Sequence, residues 1–168
     1  MAKLFKTSDD IYEFITNEWS NTENSKIGVR LKVISTQKAK QILKLSKASA
    51  TTEYLIREQD VLTLVVYEEA WDRLSEMNKI LLLKGIFSVV SYDTEKERLI
   101  IDNRPYADLF NMRHTKDANG NEYLDQYDNT LETCALLLQQ IEDEQKQAKE
   151  EEKVRKAEER AAKKAQKK

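Results

Sequence analysis

The spacing of apolar residues changes along the chain, and each change marks a new element. Ile11, Phe14 and Ile15 recur at helical intervals behind Asp9 and Asp10, with Thr7 or Ser8 placed to cap the start. This predicts a short amphipathic helix ending near Ser20, followed by a polar loop over 21–25. From Lys26 the period becomes two. Ile27, Val29, Leu31 and Val33 fall on one face and Lys26, Arg30 and Lys32 on the other, the signature of a half-buried strand. Ile42, Leu43 and Leu45 predict a second, shorter strand, and 51–57 is ambiguous, with a helical turn as one reading. Val61 to Tyr67 is apolar and β-branched enough for a buried strand opened by Asp60.

Helical spacing then returns. Glu68 to Leu74 predicts a short helix with Trp71 and Leu74 inward, and Ser75 caps a longer one running from Glu76 to about Ser91. Leu81, Leu82, Leu83, Ile86, Phe87, Val89 and Val90 encircle that helix, and a helix apolar on every side is a central one. Tyr92 to Lys96 reads as a polar connection into a strand at Arg98 to Ile101. Pro105 marks a break, Leu109, Phe110 and Met112 suggest a helical piece, and Asp117 to Asn121 a turn.

The final helix begins between Asn121 and Asn129, with Leu131, Cys134, Leu138 and Ile141 as its apolar seam. Continued in the same register, the seam would meet Gln145, Ala148, Glu152, Arg155 and Glu159, so it stops being apolar at Ile141. Beyond that lie helix-favouring Glu, Lys, Ala, Gln and Arg, supported by pairs such as Glu151 with Arg155, Glu152 with Lys156 and Glu159 with Lys163. The expected organisation is a compact α+β domain over 1–140, a small twisted sheet packed on a central apolar helix, with a charged helical tail over 141–168.

Charged residues make up 35% of the chain but nearly cancel to a net −2, so overall charge points to no partner. One cysteine excludes an internal disulfide and fits a reducing compartment. No apolar run approaches the roughly 18 residues of a membrane span, and Met1 to Lys6 lacks a signal peptide's apolar stretch. The expected location is the cytoplasm.

Three consecutive pieces carry a family resemblance: Ile27-Gly28-Val29-Arg30-Leu31-Lys32-Val33, Ser46-Lys47-Ala48-Ser49, and the block from Asp60 through Asp93. That block couples VLTLVVYEEAWDRLS to EMNKILLLKGIFSVVSYD, and together the pieces resemble the phage metallopeptidases, a zincin-like family. The resemblance implies a zincin-like α+β scaffold, a bacteriophage origin and a host-cell setting. In that family the helix carries His-Glu-x-x-His, two imidazoles one turn apart on zinc and a glutamate as general base. Counted back from Tyr92-Asp93, the matching positions here are Gly85, Ile86, Phe87, Ser88 and Val89. The family's further ligand pair would fall near Pro105 and Tyr106. None of these side chains binds zinc as imidazole does. The expectation is a chain without metal, cofactor or catalysis, able to bind a host or phage protein through the old cleft or its helices; an active hydrolase with unfamiliar ligands is the remaining enzymatic reading.

Other candidate chemistry is thin. His114, between Arg113 and Lys116, has no triad partners and reads as solvated surface. Asp117, Asn119 and Asn121 imitate the start of a calcium loop, but Glu122 replaces the glycine at its sixth position and Asp128 the long acid at its end. Cys134 sits among leucines and reads as packing. Gly28, Gly85 and Gly120 stand too far apart for a phosphate-cradling loop. Asp9-Asp10 and Glu68-Glu69 lie at helix starts, where acids favour the dipole.

The tail is the exception. It is net acidic over 142–152 and basic from Lys153 onward. Acid first and base last suits a helix dipole. The sharper reading is that Lys153, Arg155, Lys156, Arg160, Lys163, Lys164, Lys167 and Lys168 contact phosphates or an acidic protein. A nucleic-acid-associated accessory protein is accordingly the alternative function; about five phosphate contacts would give a salt slope near −4.5 on duplex DNA. With no aromatic residue in the tail, base stacking there is not expected.

Overall fold

A computed structural model describes residues 3–49, 51, 53–54, 60–101 and 123–165. Six strands occur among these residues: β1 (Leu4–Lys6), β2 (Arg30–Thr36), β3 (Leu43–Lys47), β4 (Val61–Tyr67), β5 (Val90–Asp93) and β6 (Arg98–Ile101). The helices are α1 (Asp9–Ser20), α2 (Glu23–Lys26), α3 (Glu68–Asp72), α4 (Glu76–Ser88) and α5 (Tyr123–Ala165). The fold is mixed α+β. One sheet runs β1-β2-β4-β3, and β5 with β6 forms a separate hairpin.

β4 is the hub. It pairs parallel to β2, with Arg30 opposite Val61 and Thr36 opposite Tyr67, and antiparallel to β3 on its other side. Cover on both of its faces explains why its sequence does not alternate: Leu62, Leu64 and Val66 are buried on one face, Val61 and Tyr67 on the other. β2 does alternate, burying Leu31 and Val33 while Arg30 and Lys32 stay exposed.

Two segments depart from the sequence expectation. The region read as a loop holds α2, capped by the Thr22 side chain accepting from the Ser25 N–H. The strand expected from Lys26 therefore starts later, at Arg30. Ile27 ends α2 and is 59% exposed. Gly28, at φ +94°, takes the left-handed conformation that turns the chain into β2. The helix expected to reach Ser91 stops at Ser88, because Val90 to Asp93 pair with Arg98 to Ile101. Two consecutive β-branched residues, Val89 and Val90, favour that exchange. The Asn24 side-chain amide donates to the Val90 carbonyl at 3.0 Å and ties α2 to the hairpin. β1 had no period to announce it; Leu4 is 56% exposed. Thr51, Glu53 and Tyr54 are helical, as one reading of that stretch had it. The features expected at Pro105, Leu109 to Met112, His114 and Asp117 to Asn121 lie outside the described residues.

α4 is apolar through its middle and last turns, and most of that surface is buried. Ser75 caps it by accepting from the Asn78 N–H, and Leu81, Leu82, Leu83, Gly85 and Phe87 are buried. α1 covers one side, with Trp19 set edge-on to Phe87 at 5.0 Å between ring centroids. α5 covers another. The acidic pair at the start of α3 does more than favour its own dipole. Glu68 Oε1 accepts from the Ser8 N–H, the first residue of α1's approach, at 3.0 Å. The same oxygen accepts from the buried Ser35 hydroxyl at 2.7 Å, which lies 3.0 Å from the Thr7 hydroxyl. One carboxylate thus joins α1, β2 and α3.

Candidate functional site: a docked helix root and an exposed arm

α5 has two halves of different character. Its first half packs on the body through Tyr127, Thr130, Cys134, Leu137, Leu138 and Ile141, with Thr130 and Ile141 each 1% exposed. The seam expected at Leu131 is displaced by one residue, since Leu131 is 37% exposed and Thr130 is buried in its place. The reason is a polar contact that hydrophobicity cannot signal. The Thr130 hydroxyl donates to the Gln126 carbonyl at 2.8 Å and lies 3.1 Å from Asn78 Oδ1 on α4.

At Gly85 the Tyr127 side chain of α5 lies directly against the backbone of α4. A Cβ there would come within 2.6 Å of the Tyr127 hydroxyl oxygen, and closer still to the ring. A glycine inside a helix ordinarily weakens it. Here it makes room for an aromatic ring. Of the five positions matched above to the zinc motif, Gly85 lies under Tyr127 and Phe87 packs on Trp19. Both are committed to the core.

Cys134 is buried, and desolvation pushes its thiol up to about 11. Against an ordinary thiol near 8.5, the thiolate at pH 8 falls by roughly a hundredfold. Alkylation of the native protein is therefore expected to run on the order of a hundredfold slower than alkylation of the urea-unfolded chain. Equal rates would show that the α5 root is not docked in solution.

The root ends in a polar clamp. Arg73, just past α3, donates to both Glu144 oxygens at 3.0 and 2.8 Å and to Glu69 at 3.1 Å. Tyr67 donates to Glu69 at 3.1 Å, and the Gln145 amide reaches the Tyr67 hydroxyl at 3.2 Å. Burial, then the Glu69 carboxylate, push the Tyr67 phenol above its usual range. The Arg73 guanidinium holds Glu144 below the usual carboxylate range. A carboxylate with a lowered folded-state value stabilises at neutral pH, and that contribution is lost as pH falls through the lowered value. Gln145 is the next seam position after Ile141, so the seam continues for one turn in polar form.

Past the clamp the arm begins. From Lys146 to Glu158 every residue is exposed, and from Glu142 to Ala165 the helix runs about 36 Å at 1.5 Å per residue. Lys146 pairs with Glu142 at 3.3 Å and Lys156 pairs with Glu152. Lys153, Arg155 and Lys156 are exposed on the arm, Arg160, Lys163 and Lys164 fall on its helical backbone, and Lys167 and Lys168 lie outside the described residues. Asp128, the last position of the imitation calcium loop, is an exposed helical residue. Glu69 reads in sequence only as a helix-start acid, and Arg73 and Tyr67 are left without a signal, because their α5 partners, Glu144 and Gln145, lie more than seventy positions away.

A shallow depression of about 340 Å³ lies between α1 and the α3–α4 corner. Asp10, Asp72 and Glu76 rim it, and Phe14 and Trp71 form an edge-to-face pair 5.9 Å apart beneath. The Lys79 ammonium sits 5.6 Å from the Trp71 ring centroid, so a cation already occupies the aromatic face. Among the described residues, no group of three or more His, Cys, Asp or Glu side chains is arranged to hold a metal ion. None of the helices there is long and apolar enough to cross a membrane.

No protein-family model, curated protein or solved structure matches this chain. Its function is read from its own geometry.

Proposed function

We propose that this chain is a non-catalytic interaction protein, encoded by a bacteriophage on a zincin-like scaffold, that works in the host cytoplasm. It binds a host or phage protein through its helical arm. One observation carries the reading: α5 continues well past its clamp on the body as a helix made mostly of charged residues and alanine, exposed at every position from Lys146 to Glu158. Such a helix gains only about 0.2–0.5 kcal/mol from each internal ion pair and nothing from core burial. A rigid, exposed element of this length suits a surface presented to another molecule. The packing of Gly85 and Phe87 supports the non-catalytic part, since the helical turn that would hold zinc in the resembled family is spent on Tyr127 and Trp19.

The test compares the full chain with one ended after Gln145, each used to capture proteins from phage-infected and uninfected bacterial lysates. A stoichiometric partner held by the full chain and lost by the shortened one is the expected result, with no stoichiometric zinc in either preparation. Identical captures would refute the arm as the binding element. One equivalent of zinc accompanied by peptide hydrolysis would refute the non-catalytic reading. The basic surplus past Lys153 favours a second reading, association with nucleic acid. Duplex DNA binding that weakens steeply with salt and disappears with the arm would establish it.

A further inference from the structure

The spacing of the arm's basic residues says more than their number. Lys146, Lys149, Lys153, Lys156, Arg160 and Lys163 follow one another at alternating steps of three and four, and Lys167 continues the series in sequence. At about 100° per residue, such steps return each position to the same side of an α-helix. The backbone is helical as far as Ala165, so the first six positions stand in one row about 26 Å long. Between Lys146 and Ala165, seven of the eight basic residues fall within an arc of about 100°, and all five glutamates fall outside it. From this row we infer that the arm lies along duplex nucleic acid, with its cations on the phosphates. The inference rests on the second reading above, association with nucleic acid, and names the face that binds and the form of nucleic acid it takes.

Helix stability does not account for the row. Each step sets like charges three or four residues apart, the spacing at which they destabilise a helix. Glu142 and Glu152 offset Lys146 and Lys156, but among the described residues no carboxylate pairs with Lys149 or Lys153. All four of these lysines are exposed. The row is turned about a quarter of the way round the helix from the seam that docks Cys134 and Ile141 on the body. Glu151 and Glu158 fall on the side opposite the row, next to Val154. Their repulsion from phosphate fixes which face of the arm turns to the duplex.

The occupant follows from charge and from what the arm lacks. A DNA duplex carries one negative charge about every 1.7 Å and stays straight over distances far longer than the arm. A line of cations laid beside it bends neither rod, and the row fits within one duplex turn of roughly 34 Å. Pairing with a protein helix in a coiled coil would need apolar residues at these same spacings, and the row has none. A helix lying on a bilayer sinks an apolar face, whereas past Ile141 only Val154 is apolar and larger than alanine. The row has no aromatic residue to stack on bases and no Asn or Gln to read their edges. The contact is therefore to the backbone and independent of sequence, and it leaves the opposite side of the arm to a protein partner.

The test is fluorescence anisotropy of a short labelled DNA duplex titrated with the full chain over a series of salt concentrations, with two variants. One exchanges charges at constant net charge: Lys149→Glu, Lys153→Glu and Lys156→Glu together with Glu150→Lys, Glu151→Lys and Glu158→Lys. The other carries Lys149→Gln, Lys153→Gln and Lys156→Gln, which keeps good helix formers at all three positions. The wild type is expected to show a log-log salt slope near −5, about 0.9 for each of six phosphates, whatever the duplex sequence. Single-stranded DNA of the same length is expected to bind less tightly. The glutamine variant is expected to show a slope near −3, and the exchanged variant to bind at least about tenfold more weakly at roughly 0.1 M salt. Circular dichroism checks that both arms stay helical. An exchanged variant that binds as the wild type does overturns the row in favour of unoriented attraction; the broader nucleic-acid reading then survives if a chain ended after Gln145 does not bind. A full chain that binds no nucleic acid overturns both. Tighter binding to anionic lipid vesicles than to the duplex overturns the inference in favour of a membrane surface, and tighter binding to the single strand overturns it in favour of a flexible polyanion.

Discussion

Replacing Trp71 by alanine is expected to remove about 3–5 kcal/mol of folding stability, the range for truncating a large buried aromatic residue. Trp71 is 1% exposed, packs edge-on against Phe14 and carries the Lys79 ammonium on its face. Its removal would open the floor of the depression between α1 and α3, joining α1 to α4 through an empty volume. A domain holds only about 5–15 kcal/mol in total, so the variant is expected to be marginal or unfolded at 37 °C. Trp71→Phe keeps a ring in place and is expected to lose much less. Urea denaturation monitored by circular dichroism measures both. An alanine variant with an unchanged midpoint would mean that the ring is not packed as described.

Gly85→Ala tests the α4–α5 contact, and there two effects oppose each other. In an isolated helix alanine is better than glycine by about 1 kcal/mol. Against that stands the new methyl, which would meet the Tyr127 ring well inside contact distance. Overpacking of this kind costs about 1–3 kcal/mol, so the net effect is expected to be destabilising by up to about 2 kcal/mol. The sign should reverse once the ring is gone. In a Tyr127→Ala background, Gly85→Ala is expected to stabilise by up to about 1 kcal/mol. Additive effects in the double-mutant cycle would show that the two residues do not touch.

Much of the body was legible because its elements carry their own periodicities. The buried run Val61 to Tyr67, the acidic start of α1 and the all-round apolar α4 each identify themselves without reference to a partner. What was hidden depends on distant residues. Val90 to Asp93 reads as a continuation of α4 until the strand at Arg98 to Ile101 pairs with it. The α5 seam is offset because Thr130 meets Asn78, a contact between polar groups that a search for apolar spacing passes over. Gly85 looks like a helix defect until Tyr127 lies across it. The arm was legible in composition and in its helical state. Its clamp was not, since Arg73 looks like one of many surface charges until Glu144 is placed opposite it.

The burial of α4 also constrains the order in which this chain can fold as it is made. Its apolar surface is shared between α1, already synthesised, and the root of α5, which begins at Tyr123 and is complete only at Ile141. At synthesis rates of about 5–20 residues per second, the α5-facing side of α4 waits roughly 2–10 s for its cover. During that interval the nascent chain shows greasy surface to its surroundings. Any premature stop between those two helices would leave an aggregation-prone fragment, so the integrity of the message's far end matters to the near end's solubility.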